Sequence, residues 1–243
     1  MTYDEVAEIA HLGAKVLHPR AAEIAMKFNI PLIVRNTFTE DPGTEIVNAS
    51  EAPGRRMTGV THTGKLVSIQ VDLKGVAEEH RRDFEARVYE MLAKYAINLH
   101  MITISPSGIG FAVPREQFLE VQDMFDGLVL PMQGADRAIY LVQASDVPSR
   151  CVEAQQKLLE PLGGATLVPL TITEGCTMVS LVGQNYMQQP GVFHAVLSTL
   201  HEAQIPVLQI SDSDFSLSCM IPESELRRAV SLLHQRFGLD EAQ

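Results

Sequence analysis

Phe84-Glu85-Ala86-Arg87-Val88-Tyr89-Glu90-Met91-Leu92 returns 108 positions later as Val192-Phe193-His194-Ala195-Val196-Leu197-Ser198-Thr199-Leu200, and this pair decides the fold. The register holds without a gap from 84–125 onto 192–233: Val88 falls on Val196, Leu92 on Leu200, Ile97 on Ile205, Ile102 on Ile210 and Pro114 on Pro222. Self-similarity at a fixed offset marks one supersecondary unit used twice. In the first copy Phe84, Val88, Met91, Leu92 and Tyr95 make the one-sided apolar stripe of an amphipathic helix. Strand-like segments follow at Leu99–Ile104 and Ile109–Val113, then a second helix with Phe118, Val121 and Phe125. The second copy reads the same way, through Val207–Ile210 and Leu217–Ile221 to a helix with Leu226, Val230 and Leu233.

A strand precedes each copy, Val67-Ser68-Ile69 and Val179-Ser180-Leu181, but at an offset of 112, so the first copy carries four extra residues before its helix. The unit is βαββα, whose crossovers favour helices on one face of a sheet. Ala138–Val142 is available as a closing strand for the first copy, whereas the second ends soon after its last helix. Met57–Thr63 is the remaining strand that can close the second copy, which predicts interleaved units. Upstream, Thr2 and Glu5 have capping-box spacing, Pro19 interrupts the helical pattern of 1–28, and Ile30–Arg35 is strand-like before the turn Asp41-Pro42-Gly43-Thr44. The division expected is a first piece at 1–47, a polar linker at 48–56, a closing strand at 57–63, the first unit at 64–144, an extra helix and strand at 145–172 and the second unit at 173–243.

Composition narrows the function classes. A 243-residue chain, 46% hydrophobic, is enough for about two domains. No apolar run reaches the roughly 18–20 residues of a membrane span, and the first residues lack the basic start of a secretion signal, so a cytoplasmic protein with no membrane partner is expected. A net charge of −11 without a Lys/Arg cluster disfavours nucleic acid. Cys151, Cys176 and Cys219 are odd in number and have no CxxC spacing, the pattern of reduced thiols.

Catalytic signals are thin. Gly64-Lys65 is followed by Leu66 where a phosphate loop needs Ser or Thr. His11 and His18, like His194 and His201, are seven apart with no carboxylate at ligand spacing, so no metal is expected. Ser105-Pro106-Ser107-Gly108 is a turn. The loop Gly183–Val192 does invite a ligand, because Pro190 stands near the first turn of a helix whose free N–H groups suit a carboxylate. Its counterpart in the first copy is Asp72 to His80.

Gly13-Ala14-Lys15-Val16-Leu17-His18-Pro19-Arg20, Arg35-Asn36-Thr37-Phe38 and Asp41-Pro42-Gly43-Thr44 resemble the end of the catalytic domain of aspartate kinases. Met57-Thr58-Gly59-Val60, the two repeats and Pro190-Gly191-Val192 resemble the tandem ACT domains that follow it in that family. Ile205-Pro206-Val207-Leu208-Gln209 with Ser211-Asp212-Ser213 is similar to the lysine/diaminopimelate-pathway aspartokinases of Gram-positive bacteria. The resemblance implies an α+β chain of tandem interleaved ACT domains, ferredoxin-like βαββαβ, preceded by a C-terminal remnant of an α/β amino-acid kinase domain. It implies regulation: an end-product amino acid (lysine, threonine or diaminopimelate) binds a homodimer and lowers phosphorylation of aspartate by ATP. The partner would be the kinase catalytic domain or an α-type subunit, or, as an alternative, the chain would be a free-standing amino-acid-binding module. The kinase's catalytic residues have no counterpart here; Lys15 matches a family lysine that touches ATP, and no cofactor is expected on this chain alone.

By the same resemblance, effector contacts are expected at Gln184, Asn185, Pro190, Gly191, Val192, Gln209, Ser211 and Asp212 in the second copy, and at Asp72, His100 and Met101 in the first. Two departures favour the second copy. His100 stands where the family's Asp often meets the effector's ammonium, and an imidazole is a poor partner for it. Lys74-Gly75-Val76-Ala77-Glu78-Glu79-His80 lacks the Pro-Gly of the other loop, and the stretch around 137–165 is longer than in such relatives.

Overall fold

A computed structural model describes residues 1–49, 57–133, 137–144, 148–184 and 189–239. Most of the expected linker and Asn185 therefore lie outside the described residues. The chain divides into two compact units, one of residues 65–176 and one of residues 1–64 with 177–243, called here the first and second unit after the repeat each contains.

The first unit begins in β3 (Gly59–Asp72) and continues through α3 (Glu78–Lys94), β4 (His100–Ser105), β5 (Gly108–Pro114), α4 (Phe118–Phe125), β6 (Val129–Met132), β7 (Ala138–Gln143), α5 (Arg150–Leu159) and the start of β8 (Thr166–Val182). β5 lies between β4 and β3, antiparallel to both. Strand alternation sends Val67, Ile69, Val71, Ile109, Phe111 and Val113 to one face, where Phe84, Val88, Leu92, Val121 and Phe125 cover them. All of these are buried, and Phe84 is 0% exposed.

Ala138–Val142, available as a closing strand for the first copy, does form a strand, β7, but it does not lie beside β3. β7 pairs antiparallel with β6 and parallel with β8, while the neighbours of β3 are β5 and β8. The physical reason lies in α5: parallel strands need a crossover, and Ser149 caps α5 by accepting from the Val152 N–H at 3.2 Å to supply one. The extra helix and strand of 145–172 are thus the crossover and the arriving strand of a β7–α5–β8 unit.

The second unit contains α1 (Tyr3–His11), α2 (Pro19–Lys27), β1 (Leu32–Val34), β2 (Thr44–Ile46), the start of β3, the end of β8, α6 (Val192–Glu202), β9 (Gln209–Asp212), β10 (Ser216–Pro222) and α7 (Leu226–Arg236). Its main strands follow the order β3–β8–β10–β9. The upstream segment supplies the edge next to β8: the Thr58 N–H donates to the Val182 carbonyl at 2.8 Å, and Thr177 Oγ1 donates to the Thr63 carbonyl at 3.1 Å. Val179, Leu181, Leu217, Cys219 and Ile221 face the layer of Val196, Leu200, Ala229 and Leu233. α1 starts on the expected capping box of Thr2 and Glu5, and Pro19 opens α2.

The two repeats end their first helices alike. Ala96 and Gln204 adopt φ of 52° and 58°, and the N–H groups of Ile97 and Ile205 reach back to Leu92 and Leu200 at 3.0 and 2.9 Å. That left-handed closure turns each chain into its next strand. The long strands differ from expectation: the 57–63 and 67–69 segments are continuous in β3, and 166–172 and 179–181 in β8. Each carries one left-handed residue, Lys65 at φ 58° and Gly175 at φ 68°.

All three cysteines are free thiols; Cys151 is exposed, Cys176 and Cys219 are buried, and burial pushes the Cys219 thiol up to about 12. Reaction with a water-soluble thiol reagent at pH 8 is expected to modify one thiol per chain quickly, Cys151, and the other two only on unfolding. Three fast thiols would contradict this packing.

Candidate functional site

In the second unit β8 leads through Gly183 and Gln184 to Gln189, Pro190 and α6. Gln189 Nε2 donates to the Gln184 carbonyl at 3.3 Å, drawing the two ends of the loop together. Gly191 is the N-cap of α6 at φ 92°, a left-handed position that an L side chain adopts only with strain. Pro190 and Gly191 are exposed, and Val192 anchors the turn at 8% exposure. The first N–H groups of α6 have no intrahelical acceptor, and the helix dipole adds to their preference for an anion.

β9 stands at the edge of the same sheet and pairs with β10, Gln209 opposite Met220, Ser211 opposite Ser218 and Asp212 opposite Leu217. Leu217 packs in the helix-covered core, so Ser211 and Gln209 lie on the other face together with Ser216 and Ser218. Gln209 is buried and Ser211 half-buried there. Asp212 is exposed and points by alternation to the opposite face from Ser211. The expected contacts of this unit are thus divided into an amide-lined helix start with Pro190, Gly191 and Val192, a Gln209–Ser211 pair, and a separate Asp212. Lys15 is exposed in the turn between α1 and α2, and the structure gives it no described contact.

The first unit arranges its counterparts differently. α3 has 17 residues against 11 in α6, so helical turns occupy the chain that forms the loop in the other repeat. Asp72 is spent locally: its Oδ1 accepts from the Lys74 N–H at 2.9 Å, and the Lys74 ammonium is 3.6 Å away. The start of α3 already has a protein partner, since the Ala77 N–H donates to Tyr140 Oη at 3.1 Å. The same oxygen is 3.0 Å from His80 Nδ1, and Tyr140 and His80 are each 2% exposed. The Tyr140 ring meets those of His80 and Phe84 edge-on, with centroids 5.8 and 5.9 Å apart. His100 and Met101 sit at a bulge in β4, Met101 at φ 50°, and burial lowers the His100 pKa below its ordinary value. That burial disfavours a charged imidazole at His100.

Tyr140 and His80 were not singled out in the sequence. The available signal was a phenol in the apolar strand Ala138-Ile139-Tyr140-Leu141-Val142, since a buried tyrosine hydroxyl usually finds a partner. Among the described residues no group of three or more His, Cys, Asp or Glu could hold a metal ion, and no helix is long and apolar enough to cross a membrane.

Tyr140→Phe leaves the Ala77 N–H and the buried His80 Nδ1 without their partner and is expected to lower stability by about 1–3 kcal/mol in urea unfolding. His100 gives a pH prediction. Its folded pKa lies below the unfolded value, so the unfolded chain binds the proton first and stability falls as pH drops below about 6.5. Between pH 7 and 5 the wild type is expected to lose stability relative to His100→Gln; a parallel decline in both would contradict it.

Comparison with known proteins places these features. Residues 171–235 match the ACT domain family. Aspartokinase 1 of Bacillus subtilis is 28% identical over 247 residues, which are 99% of this chain and 51% of that protein. The crystal structure of the aspartate kinase of Clostridium acetobutylicum, described as an allosteric enzyme, superposes with a TM-score of 0.70 at 16% identity, over 98% of this chain and 48% of that one. The ligand-free regulatory subunit of aspartate kinase from Thermus thermophilus gives a TM-score of 0.50 at 19% identity, over 75% of this chain and 98% of the subunit. These two are likenesses of fold, and the chain spans about half the length of the Bacillus relative. With an ACT domain match across its second repeat, the chain is similar over nearly its whole length to the C-terminal half of aspartokinases.

Proposed function

We propose that this chain is the regulatory region of an aspartate kinase, in which the second unit senses an end-product amino acid and so controls ATP-dependent phosphorylation of aspartate. The observation that carries the reading is the alignment of almost the whole chain with one half of a kinase relative, together with the ACT domain match over 171–235. The effector's carboxylate would rest on the first N–H groups of α6, behind the Gly191 turn, and its ammonium and side chain would meet Gln209 and Ser211. Asn185 belongs to this proposal from the sequence, and Asp212 enters it as a rim charge. The first unit, whose helix start is closed by Tyr140, serves structure rather than sensing.

The chemistry of phosphoryl transfer belongs to the complete kinase, where Lys15 would touch ATP; this chain needs no cofactor of its own. A cytoplasmic site of action goes with that role. The partners proposed are the kinase catalytic domain or an α-type subunit and a second copy of the chain. β4 is a sheet edge that shows Ile102 and Ile104 at 51% and 59% exposure, which suits pairing of copies. A free-standing regulatory subunit is the second reading, favoured by the match to nearly the full length of the Thermus subunit.

Calorimetric titration with lysine, threonine and meso-diaminopimelate in turn is expected to show saturable binding of one of them. Gln209→Ala should weaken it at least tenfold, while His100→Gln leaves it within about twofold. Loss on His100→Gln and not on Gln209→Ala would move the sensor to the first unit.

A further inference from the structure

The β9–β10 turn of the second unit is bound to α1 through one carboxylate. Glu8 Oε1 accepts hydrogen bonds from Ser213 Oγ at 2.9 Å and Ser216 Oγ at 2.7 Å, residues more than 200 positions away in sequence. Hydroxyls donating to an ionised carboxylate make short, charge-assisted bonds. The turn itself is tightly organised. Ser213 Oγ accepts from the N–H groups of Phe215 and Ser216 at 3.3 and 3.1 Å, and the Ser213 N–H donates to the Ser216 carbonyl at 2.9 Å. It also holds the start of the candidate ligand loop, since the Gly183 N–H donates to the Phe215 carbonyl at 2.9 Å.

The same turn adjoins the other half of the candidate site. Gln209 and Ser211 share a sheet face with Ser216 and Ser218, and Ser218 Oγ is 2.7 Å from Ser180 Oγ. The far end of α1 is fixed independently: Thr63 Oγ1 donates to the Leu12 carbonyl at 2.8 Å, and a Cβ at Gly13 would stand 2.2 Å from the His62 carbonyl. With that end pinned, Glu8 ties the middle of α1 to whatever position the turn adopts. Among the described residues the equivalent turn of the first unit has no carboxylate partner, and its Ser107 carbonyl accepts from the Leu73 N–H at 2.9 Å. There Ser105 Oγ donates to the Gly108 carbonyl at 3.1 Å and accepts from its N–H at 3.2 Å, and Gly108 stands where the second repeat has Ser216.

We propose that Glu8 is a positioning residue that passes the state of the β9–β10 turn, and with it occupancy of the Gly183–Gln209–Ser211 region, to α1 of the kinase-like segment. This rests on the regulatory reading above, and a test can separate the two. Amide exchange of residues 3–11 is measured by mass spectrometry in the wild type, Glu8→Ala, the Ser213→Ala/Ser216→Ala double variant, the triple variant and Glu8→Gln. Glu8→Ala and the double variant should each speed α1 exchange about tenfold, the triple variant no more than either, and Glu8→Gln, which keeps an acceptor, should stay near the wild type. Additive effects in the triple variant would overturn the coupling.

The second arm repeats the measurement with lysine, threonine and meso-diaminopimelate. The amino acid that binds should change α1 protection in the wild type and bind Glu8→Ala within about twofold while leaving its α1 unchanged. An α1 response that persists in Glu8→Ala, or binding with no α1 response in the wild type, would overturn the proposal. If none of the three binds, the sensor reading fails for these effectors, and the ligand-free arm still decides the junction by additivity.

Discussion

A strand edge that its own repeat cannot cover is the constraint on which the rest of this structure depends. In the second unit the strands of the repeat, β10 and β9, lie on one side of β8, and the other side of its ladder needs a strand from elsewhere. An open edge of that kind invites association with any passing strand. The 57–63 segment, more than 100 residues upstream, takes the place, with Thr58 donating to Val182 and Thr177 to Thr63. Once β3 is committed there, its continuation starts the first unit, and β8 in turn belongs to both.

The repeats share their helix closures and diverge where a ligand could sit. Four extra residues in the first copy become helix at the start of α3, and the phenol of Tyr140 accepts from the N–H of the N-cap residue Ala77. The second copy begins α6 on a left-handed glycine, with no side-chain cap among the described residues. One duplicated architecture thus carries two different helix starts. The second of them shares a unit with α1, whose Glu8 bonds the β9–β10 turn.

Much of this was legible in the residues. Stripes such as Phe84–Val88–Leu92 and Val196–Leu200 report helices because burial selects them one by one, and the capping box of Thr2 and Glu5 is a local device. Interleaving followed from counting strands. What escaped depends on pairing at a distance. β6 contains Pro131, which weakens its strand signal yet is tolerated because β6 pairs only with β7. The parallel pairing of β7 with β8 has no periodic signature, so the neighbour of 138–142 was not legible. The expected cluster at Ser211 and Asp212 is split by the alternation of a strand that is regular to its end. Glu8 carried no local signal, since its partners lie at the other end of the chain.

The central claim, that an upstream strand completes the second unit, is tested most directly by site-resolved amide exchange in the native state. If the ladder is as described, the Thr58 amide exchanges only through the opening that also releases the amides of Leu181 and Cys219, and its protection falls with theirs in denaturant. A Thr58 amide that exchanges at the rate of an unprotected linker, while Leu181 and Cys219 stay protected, would contradict the account.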